Sequence, residues 1–192
     1  MTRTLGAAEP ARYVLLGLLL RGPRHGYDLA RHFVSGSAIG EVIRLSASQL
    51  YALLLRLERD ELIAGERQEV GSHPPRRVFR LTPEGRDAVL RWVTEPVDHP
   101  RDMLIEFPLK LYLAGQVGPG HAAALVQRQR ALFARYLERL GDQTSTPETA
   151  RDAAFVALVR EGRIGRVRAA LEWLNSCAYD HWFSSGETVS QM

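Results

Sequence analysis

The sequence predicts a mainly α-helical protein in two parts, of which the first also contains a two-stranded β-hairpin. Apolar residues recur at helical spacing along most of the 192-residue chain, and the pattern changes to that of short strands only over residues 62–81. The charge divides as well: residues 1–92 carry 14 arginines against 10 acidic residues, whereas residues 93–192 carry 11 basic against 12 acidic residues. We therefore expect a mildly basic domain over residues 1–96 and a near-neutral helical domain over residues 97–192.

The first two predicted helices lie on either side of a break. The first spans residues 10–21, starts at Pro10, which suits a first helical turn, and is apolar nearly all round, so we expect it to be buried. The stretch Arg21-Gly22-Pro23-Arg24 ends it. A short second helix is predicted from His25 to Phe33, and a glycine-containing loop follows.

The third helix has the clearest start signal in the chain. Ser46 and Gln49 have the spacing of a capping box, in which each side chain satisfies a free backbone N–H group of the other residue. One face of this helix is predicted to be apolar, through Leu50, Leu53, Leu54 and Leu57. The other face is polar and cationic, through Ser48, Gln49, Ala52, Arg56 and Arg59.

A β-hairpin and a fourth helix complete the first half. Residues 62–70 and 78–81 are predicted strands, joined by a polar loop over residues 71–77 that contains adjacent arginines. Thr82 then caps a helix with Pro83 in its first turn, which Pro96 ends. Three helices followed by a two-stranded wing form a winged helix-turn-helix.

This layout points to DNA, because the third helix of such a domain enters the major groove with its N-terminal side chains towards base edges. We expect Gln49 to contact adenine, Arg56 to contact guanine or phosphate, and the wing arginines to contact phosphate or the minor groove. The candidate contact residues are Ser46, Ser48, Gln49, Arg56, Arg76, Arg77 and Arg80. A winged helix that docks another protein through its third helix is the alternative, as is a ligand-binding or enzymatic helical protein without a DNA-specific function.

The second half is predicted to be helical and to form a dimer. Helices are expected over residues 101–117, with a kink or break at Pro108, over 121–140, and over 148–183. The last helix has a coiled-coil-like seam through Ile164, Val167, Leu171, Leu174 and Ala178. A partner chain is the natural cover for such long amphipathic helices, and a twofold dimer would read a palindromic operator with half-sites about 34–36 Å apart.

No constellation for catalysis or metal binding is found in the sequence. Phosphate-loop, dinucleotide, zinc-protease and serine-hydrolase motifs are absent from the 192 residues, so we expect neither an enzyme nor a cofactor. His25 and His32 offer only Asp28 as a third metal ligand between them. The single cysteine, Cys177, cannot form an internal disulfide and is more typical of a buried, inert thiol than of a redox sensor paired with His181.

The apolar content of 45% and the charged content of 24% are those of a folded protein rather than a disordered one. The longest apolar run, Tyr13 to Leu20, is far shorter than the ~20 residues that cross a bilayer, and no small-residue cleavage site follows it. We expect a cytoplasmic protein with no membrane partner.

The first half also resembles the PadR family of transcriptional regulators. The resemblance extends over residues 13–29, 48–63 and 74–86. Its matching elements are Leu16-Gly17-Leu18-Leu19, His25-Gly26-Tyr27, Leu50-Tyr51, Leu57-Glu58, Leu62-Ile63 and Leu81-Thr82-Pro83-Glu84-Gly85. The second half is similar to that of the longer subgroup, which has a helical C-terminal dimerisation domain.

The resemblance implies a repressor, with Tyr51 at the protein–DNA surface and Tyr27 near it. It also implies that a small, often aromatic effector binds between the domains or at the dimer interface; the aromatic residues that could line this space, or else belong to the core, are Trp92, Phe107, Tyr112, Trp173 and Trp182. Two positions depart from the family pattern: Glu61 stands where glycine is common, and Val78-Phe79 where a tyrosine or aromatic pair is frequent. If the first position needs a left-handed backbone, Glu61 is strained.

Overall fold

The computed structural model describes residues 8–70, 73–142 and 147–176. Its first half contains four helices and a small antiparallel sheet, and its second half is helical, which confirms the predicted fold class. No helix in these three ranges is long and apolar enough to cross a membrane. The helices of the first half are α1 (Ala8–Leu19), α2 (Gly26–Ala30, continued by a 3₁₀ turn at Arg31–Phe33), α3 (Ala47–Arg59) and α4 (Pro83–Thr94).

The sheet has one strand more than the predicted hairpin. Its strands are β1 (Arg24–His25), β2 (Ile63–Val70) and β3 (His73–Leu81), in the order β1-β3-β2. The two-residue β1 has no periodicity that a sequence reading can detect. The predicted loop over residues 71–77 was too long, because β3 already begins at His73. Its prolines are tolerated since β1 pairs only with Val78 and Phe79, which leaves one side of Pro74 and Pro75 without a neighbouring strand.

The second half contains a 3₁₀ turn (Pro100–Leu104) and the helices α5 (Glu106–Val117), α6 (Pro119–Asp142) and α7 (Ala150–Leu174). The predicted kink at Pro108 was wrong. The predicted helix over residues 101–117 is divided before Glu106, so Pro108 falls in the first turn of α5, where its missing N–H needs no partner. The prediction that the last helix reaches residue 183 was also wrong, because α7 ends at Leu174.

Three of the five residues of the predicted seam of α7 pack within the chain. Val167 and Leu174 are buried, and Leu171 packs partly buried against the same core; Ala178 lies outside the described residues. Arg130 and Arg160 also join α6 to α7, since the guanidinium of Arg130 donates to the Leu174 carbonyl and that of Arg160 donates to the Leu140 carbonyl at 2.8 Å. Each arginine thus satisfies a C-terminal carbonyl of a helix.

One hydrophobic core extends through both halves of the chain. A Cβ atom on Gly17 of α1 would lie 2.5 Å from Cδ1 of Leu113 in α5, so the glycine allows these helices to approach closely. At the join between the halves, the Gln129 carboxamide accepts from the Val97 N–H at 2.7 Å and donates to the Val97 carbonyl at 2.9 Å. The domain boundary at residue 96 stays a prediction, because apolar packing crosses it.

Candidate nucleic-acid interface

The capping box at the start of α3 is present and confirms the prediction. The Gln49 N–H donates to Ser46 Oγ at 3.2 Å, and the Ser46 N–H donates to Gln49 Oε1 at 2.9 Å. Ser46 Oγ also lies 2.9 Å from Ser48 Oγ. The first turn is therefore fixed with its three polar side chains in solvent. Gln49 Oε1 is used in the cap, which leaves its amide N–H₂ group as the part of the carboxamide that can donate to a ligand.

The exposed side of α3, which we call its outer face, lies opposite the buried leucine stripe. Ser48, Ala52, Leu55 and Arg59 form its centre line, at about 100° per residue. Gln49 and Arg56 lie on one flank of this line. The polar and cationic residues are exposed as predicted, whereas the exposed Leu55 between them was missed. A helical wheel of Ser46–Arg59 is the signal that would have revealed it.

Two tyrosines adjoin the outer face, as the family resemblance implies. Tyr51 is half-exposed, and Tyr27 in α2 is 70% exposed. A Cβ atom on Gly26 would lie 2.8 Å from Cε1 and 2.9 Å from the hydroxyl of Tyr51. The glycine at the start of α2 therefore makes room for the Tyr51 ring, which rests on the backbone there. Contact of either tyrosine with DNA stays a prediction.

The predicted wing arginines are partly engaged inside the protein. Arg77 Nη2 donates to both oxygens of Glu58 on α3, at 2.6 and 2.7 Å, and its guanidinium lies 5.4 Å from the Phe79 ring centre. Glu58 also accepts from the Gly65 N–H of β2 at 3.1 Å, so one carboxylate ties α3 to both strands. Arg80 forms an ion pair with Glu66. The side chain of Arg76 lies outside the described part of the chain.

Arg67 is a cation of the wing that the sequence analysis missed. It is exposed on β2 and lies directly opposite Arg77 in the register of the hairpin. The buried residues Ile63 and Phe79 belong to this same side of the strands. Strand alternation counted from Ile63 would have placed Arg67 there. Like charges at directly opposite positions destabilise a hairpin, and Glu58 neutralises only one of the two.

The turn between α3 and the wing contains the strained residue that the departure from the family pattern predicts. Glu61 has a φ of 57°, the only non-glycine residue of the described chain with a positive φ. The Leu62 N–H donates to the Leu57 carbonyl at 2.9 Å, and the Thr82 hydroxyl donates to the Glu61 carbonyl at 2.8 Å. These bonds hold the backbone in the left-handed form despite the steric cost of a Cβ atom.

An apolar cavity of about 340 Å³ lies between the two halves of the chain. The loop after α2 lines one side of it through Ala38, Ile39 and Val42, and α5 and α7 line the other. Three of the five predicted effector residues meet here, namely Phe107, Tyr112 and Trp173. The rings of Phe107 and Trp173 make an edge contact with their centres 5.8 Å apart.

The fourth predicted effector residue, Trp92, lies outside this cavity. Its ring stacks on Tyr13 at 4.9 Å, and its indole N–H donates to the Glu106 carboxylate at 3.1 Å. Lys110, the only lysine of the chain, pairs with Glu106 at 3.2 Å and donates to the Glu95 carbonyl at 2.8 Å. Burial lowers the pKa of the Lys110 ammonium, and the Glu106 carboxylate opposes this shift. Trp92 is thus a core residue whose indole N–H donates to an acceptor inside the protein.

Within the described ranges, no three His, Cys, Asp or Glu side chains lie close enough together to hold a metal ion. Cys177, His181 and Trp182 lie outside these ranges.

Comparisons with known proteins match both halves of the chain. Residues 15–91 match the model of the transcriptional regulator PadR-like family, and residues 105–180 match the model named virulence activator alpha C-term. The negative transcriptional regulator PadR of Bacillus subtilis is 26% identical over 118 residues, which span 62% of this chain and 64% of that protein, just under two thirds. The probable transcriptional regulator Rv1176c of Mycobacterium tuberculosis is 26% identical over 86% of this chain and 94% of its own length.

Solved structures of the family are similar to this chain as well. A PadR family regulator from Eggerthella lenta is 34% identical over 43% of this chain and 71% of its own, with a TM-score of 0.34. Bacillus subtilis PadR in complex with operator DNA is 24% identical and covers 85% of this chain and 94% of its own, with a TM-score of 0.44. The same protein in complex with p-coumaric acid is 22% identical and covers 92% and 99%, with a TM-score of 0.42.

Proposed function

The chain belongs to the PadR-like family of transcriptional regulators, and from this we propose that it is a cytoplasmic homodimeric repressor that binds a palindromic DNA operator and releases it when a small aromatic effector binds. Regulation rather than catalysis is the activity of this family. The observation that carries the proposal is the outer face of α3. It is capped at its N-terminus, polar and cationic on the outside, and adjacent to a hairpin that presents further arginines.

The dimensions and charges of this surface suit duplex DNA. The 13 residues of α3 form a rod about 20 Å long. With side chains a helix is about 10–12 Å across, which fits a major groove about 12 Å wide. Arg56 and Arg59 are exposed on α3, and Arg67 is exposed beside it on the hairpin. The opposed pair Arg67 and Arg77 is unfavourable in the free protein, and a phosphate beside the wing would relieve the repulsion.

A mobility-shift assay with the DNA upstream of the protein's own gene tests this part of the proposal. Replacing Arg56 and Arg59 by alanine together is expected to weaken binding by at least tenfold, because each change removes a cation that faces DNA. Arg135→Ala, at an exposed arginine of α6, is the matched control and should bind as wild type does. Equal binding by both variants would contradict the assignment of the surface.

The exposed side of α7 supports a homodimer. Only Val167 and Leu174 of this 25-residue helix are buried within the described chain. Phe155 and Leu158 are 64% and 66% exposed, and they share one side of the helix with the exposed Gly162. Large apolar side chains exposed to this degree favour a cover, and the same side of a second copy would provide it.

Light scattering at micromolar concentration tests the dimer. We expect twice the mass of the 21.5-kDa chain for the wild type and for Arg163→Glu, a charge change on another side of α7. Leu158→Glu places a carboxylate inside the proposed interface and is expected to give monomer. A monomeric wild type would contradict the dimer and, with it, the palindromic operator.

The cavity between the halves is the proposed effector site. Its lining is almost entirely apolar and includes two aromatic side chains of α5 and Trp173 of α7, as a planar aromatic ligand requires. p-Coumaric acid, which the Bacillus subtilis relative binds in a solved structure, is the first probe. Its binding is expected to change tryptophan fluorescence in the wild type and not in Ala38→Phe, which fills the cavity. Unchanged fluorescence with a panel of phenolic acids would count against an aromatic effector.

A further inference from the structure

We infer that Leu55 is a specificity-determining residue that reads thymine methyl groups in the DNA major groove. This inference rests on the proposed function and adds an apolar contact at the middle of the outer face of α3. Leu55 is 52% exposed, although its neighbours Leu53 and Leu54 are buried. Three consecutive leucines of a helix cannot all face the same core, because each residue is rotated by about 100° from the last.

Leu55 does not take part in the hydrophobic core of the described chain. It is absent from the residues that form or cover the hydrophobic core, whereas every leucine of the buried stripe belongs to that core. Its position is about 140° around the helix from Leu50, near the line that points directly away from the protein. The only other apolar side chain on this line is the methyl group of Ala52, which is exposed as well.

The surroundings of Leu55 favour DNA over another protein as the occupant. Arg56 and Arg59 are exposed beside it and make no ion pair with described residues, and the amide donor of Gln49 lies six residues earlier on the helix. Such a surface has an apolar centre within a cationic rim. Duplex DNA has the complementary arrangement, because phosphates line the groove while base edges lie at its floor.

Thymine is the base that an exposed leucine can recognise. Its C5 methyl group is the one apolar group that a standard base pair presents in the major groove, and the other groups there are hydrogen-bond donors and acceptors. Leu55 lies six residues beyond Gln49, which is about 9 Å along the helix axis. The two side chains therefore contact different base pairs, with Gln49 reading a polar edge and Leu55 a methyl group.

The test removes the methyl group and the leucine separately and together. The binding site is first located by footprinting the wild-type, full-length protein on its upstream region, and each thymine of the site is then replaced singly by uracil. Kd is measured by fluorescence anisotropy for the wild type and Leu55→Ala. At one thymine in each half-site, we expect uracil to weaken wild-type binding about fourfold, as for one buried methyl group. Leu55→Ala should bind the thymine site more weakly than the wild type does. Replacing that thymine by uracil should not weaken the binding of Leu55→Ala any further.

Further outcomes decide the inference. Leu55→Met keeps an apolar side chain of similar reach and should keep the preference for thymine over uracil. The role of Leu55 would be overturned if the effects of uracil and of Leu55→Ala on Kd were additive at every thymine, or if uracil changed Kd at no position. Either result would leave DNA binding itself intact. Loss of binding to a protein partner but not to DNA in Leu55→Ala would assign the residue to protein docking. If the wild type binds no site at all, the proposed function itself fails.

Discussion

The carboxamide of Gln49 caps α3 and is also proposed to contact a base. Its oxygen accepts the Ser46 N–H at 2.9 Å, so a bidentate contact with adenine, which needs both the oxygen and the N–H₂ group, would break the cap. With the cap intact, only the N–H₂ group can reach a base. The predicted adenine contact is therefore limited to a single donated hydrogen bond, to an acceptor such as N7 of the base.

Two substitutions at Gln49 separate capping from reading. Gln49→Ala removes both and is expected to lower the free energy of unfolding by about 1 kcal/mol. Gln49→Glu keeps the oxygen that caps Ser46 and should retain wild-type stability, but it has no donor for a base. Urea unfolding gives the stability, and binding to single-base variants of the operator gives the preference. Unchanged base preference in Gln49→Glu would remove this residue from the reading surface.

His32 makes stability depend on pH. Burial lowers its pKa below the ordinary value of 6.5, Arg24 and Arg31 lower it further, and Asp28 opposes them. Between the lowered pKa and 6.5 the unfolded chain binds more protons than the folded one, so the free energy of unfolding falls as the pH decreases through this window.

This pH dependence has a direct control in the chain. Urea unfolding from about pH 8 to about pH 5 should show a smaller decrease for His32→Gln than for the wild type, because the substituted side chain does not titrate. His121→Gln, at an exposed histidine, should follow the wild type. Identical profiles for wild type and His32→Gln would show that another group causes the decrease.

At the scale of elements, Glu58 joins the wing to α3. Its carboxylate accepts from Arg77 of β3 and from the backbone N–H of Gly65 in β2. The wing is thereby held at a fixed angle to the outer face of α3. Glu58→Gln and Arg77→Ala are each expected to lower stability, and a double-mutant cycle should give a coupling energy of about 0.5–1 kcal/mol. Additive effects in urea unfolding would mean that the pair does not anchor the wing.

A second contact between elements lies where α4 meets α5. Lys110→Met leaves the Glu106 carboxylate without its cation in a buried site, so we expect the free energy of unfolding to fall by about 3–5 kcal/mol. The double variant that also carries Glu106→Gln contains no unpaired buried charge. Its free energy of unfolding should therefore fall less than that of Lys110→Met alone. Thermal or urea unfolding compares the two, with Arg135→Met as the exposed control. A double variant less stable than Lys110→Met would contradict this account.

At the scale of the whole molecule, the apolar cavity lies between the loop before α3 and the helices of the second half. The loop contributes Ala38, Ile39 and Val42, and it leads directly to the cap of α3. A ligand there contacts both halves at once. It can shift the equilibrium towards a state that does not bind DNA only if that state binds the ligand more tightly.

Local signals in the sequence were enough for most of the fold. The capping box, the helix starts at Thr82-Pro83 and the strand alternation depend on neighbouring residues, and all of them are present. β1 was missed because two residues carry no period, and the start of α5 was misplaced because proline both ends helices and begins them. The partners of Arg77 and Trp92 come from distant segments, and no local pattern reports them.

The candidate site was predicted in part for the same reason. Side chains on the outer face of α3 follow from helical spacing, so Ser48, Gln49 and Arg56 are exposed as expected. Leu55 and Arg67 could have been placed by the same spacing rules. The occupation of Gln49 Oε1 and the pairing of Arg77 with Glu58 could not, because they depend on rotamers that only the assembled structure defines.

The central claim is that the outer face of α3 and the wing bind DNA as a dimer, and the salt dependence of Kd for the footprinted site tests it most directly. If Arg56, Arg59 and Arg67 of each protomer contact phosphate, log Kobs should fall linearly with log[salt] between about 50 and 200 mM, with a slope near −5. Arg67→Ala should make the slope less steep by about 2, since a dimer loses two contacts. An affinity that does not change with salt, or a slope that Arg67→Ala leaves unaltered, would contradict the account.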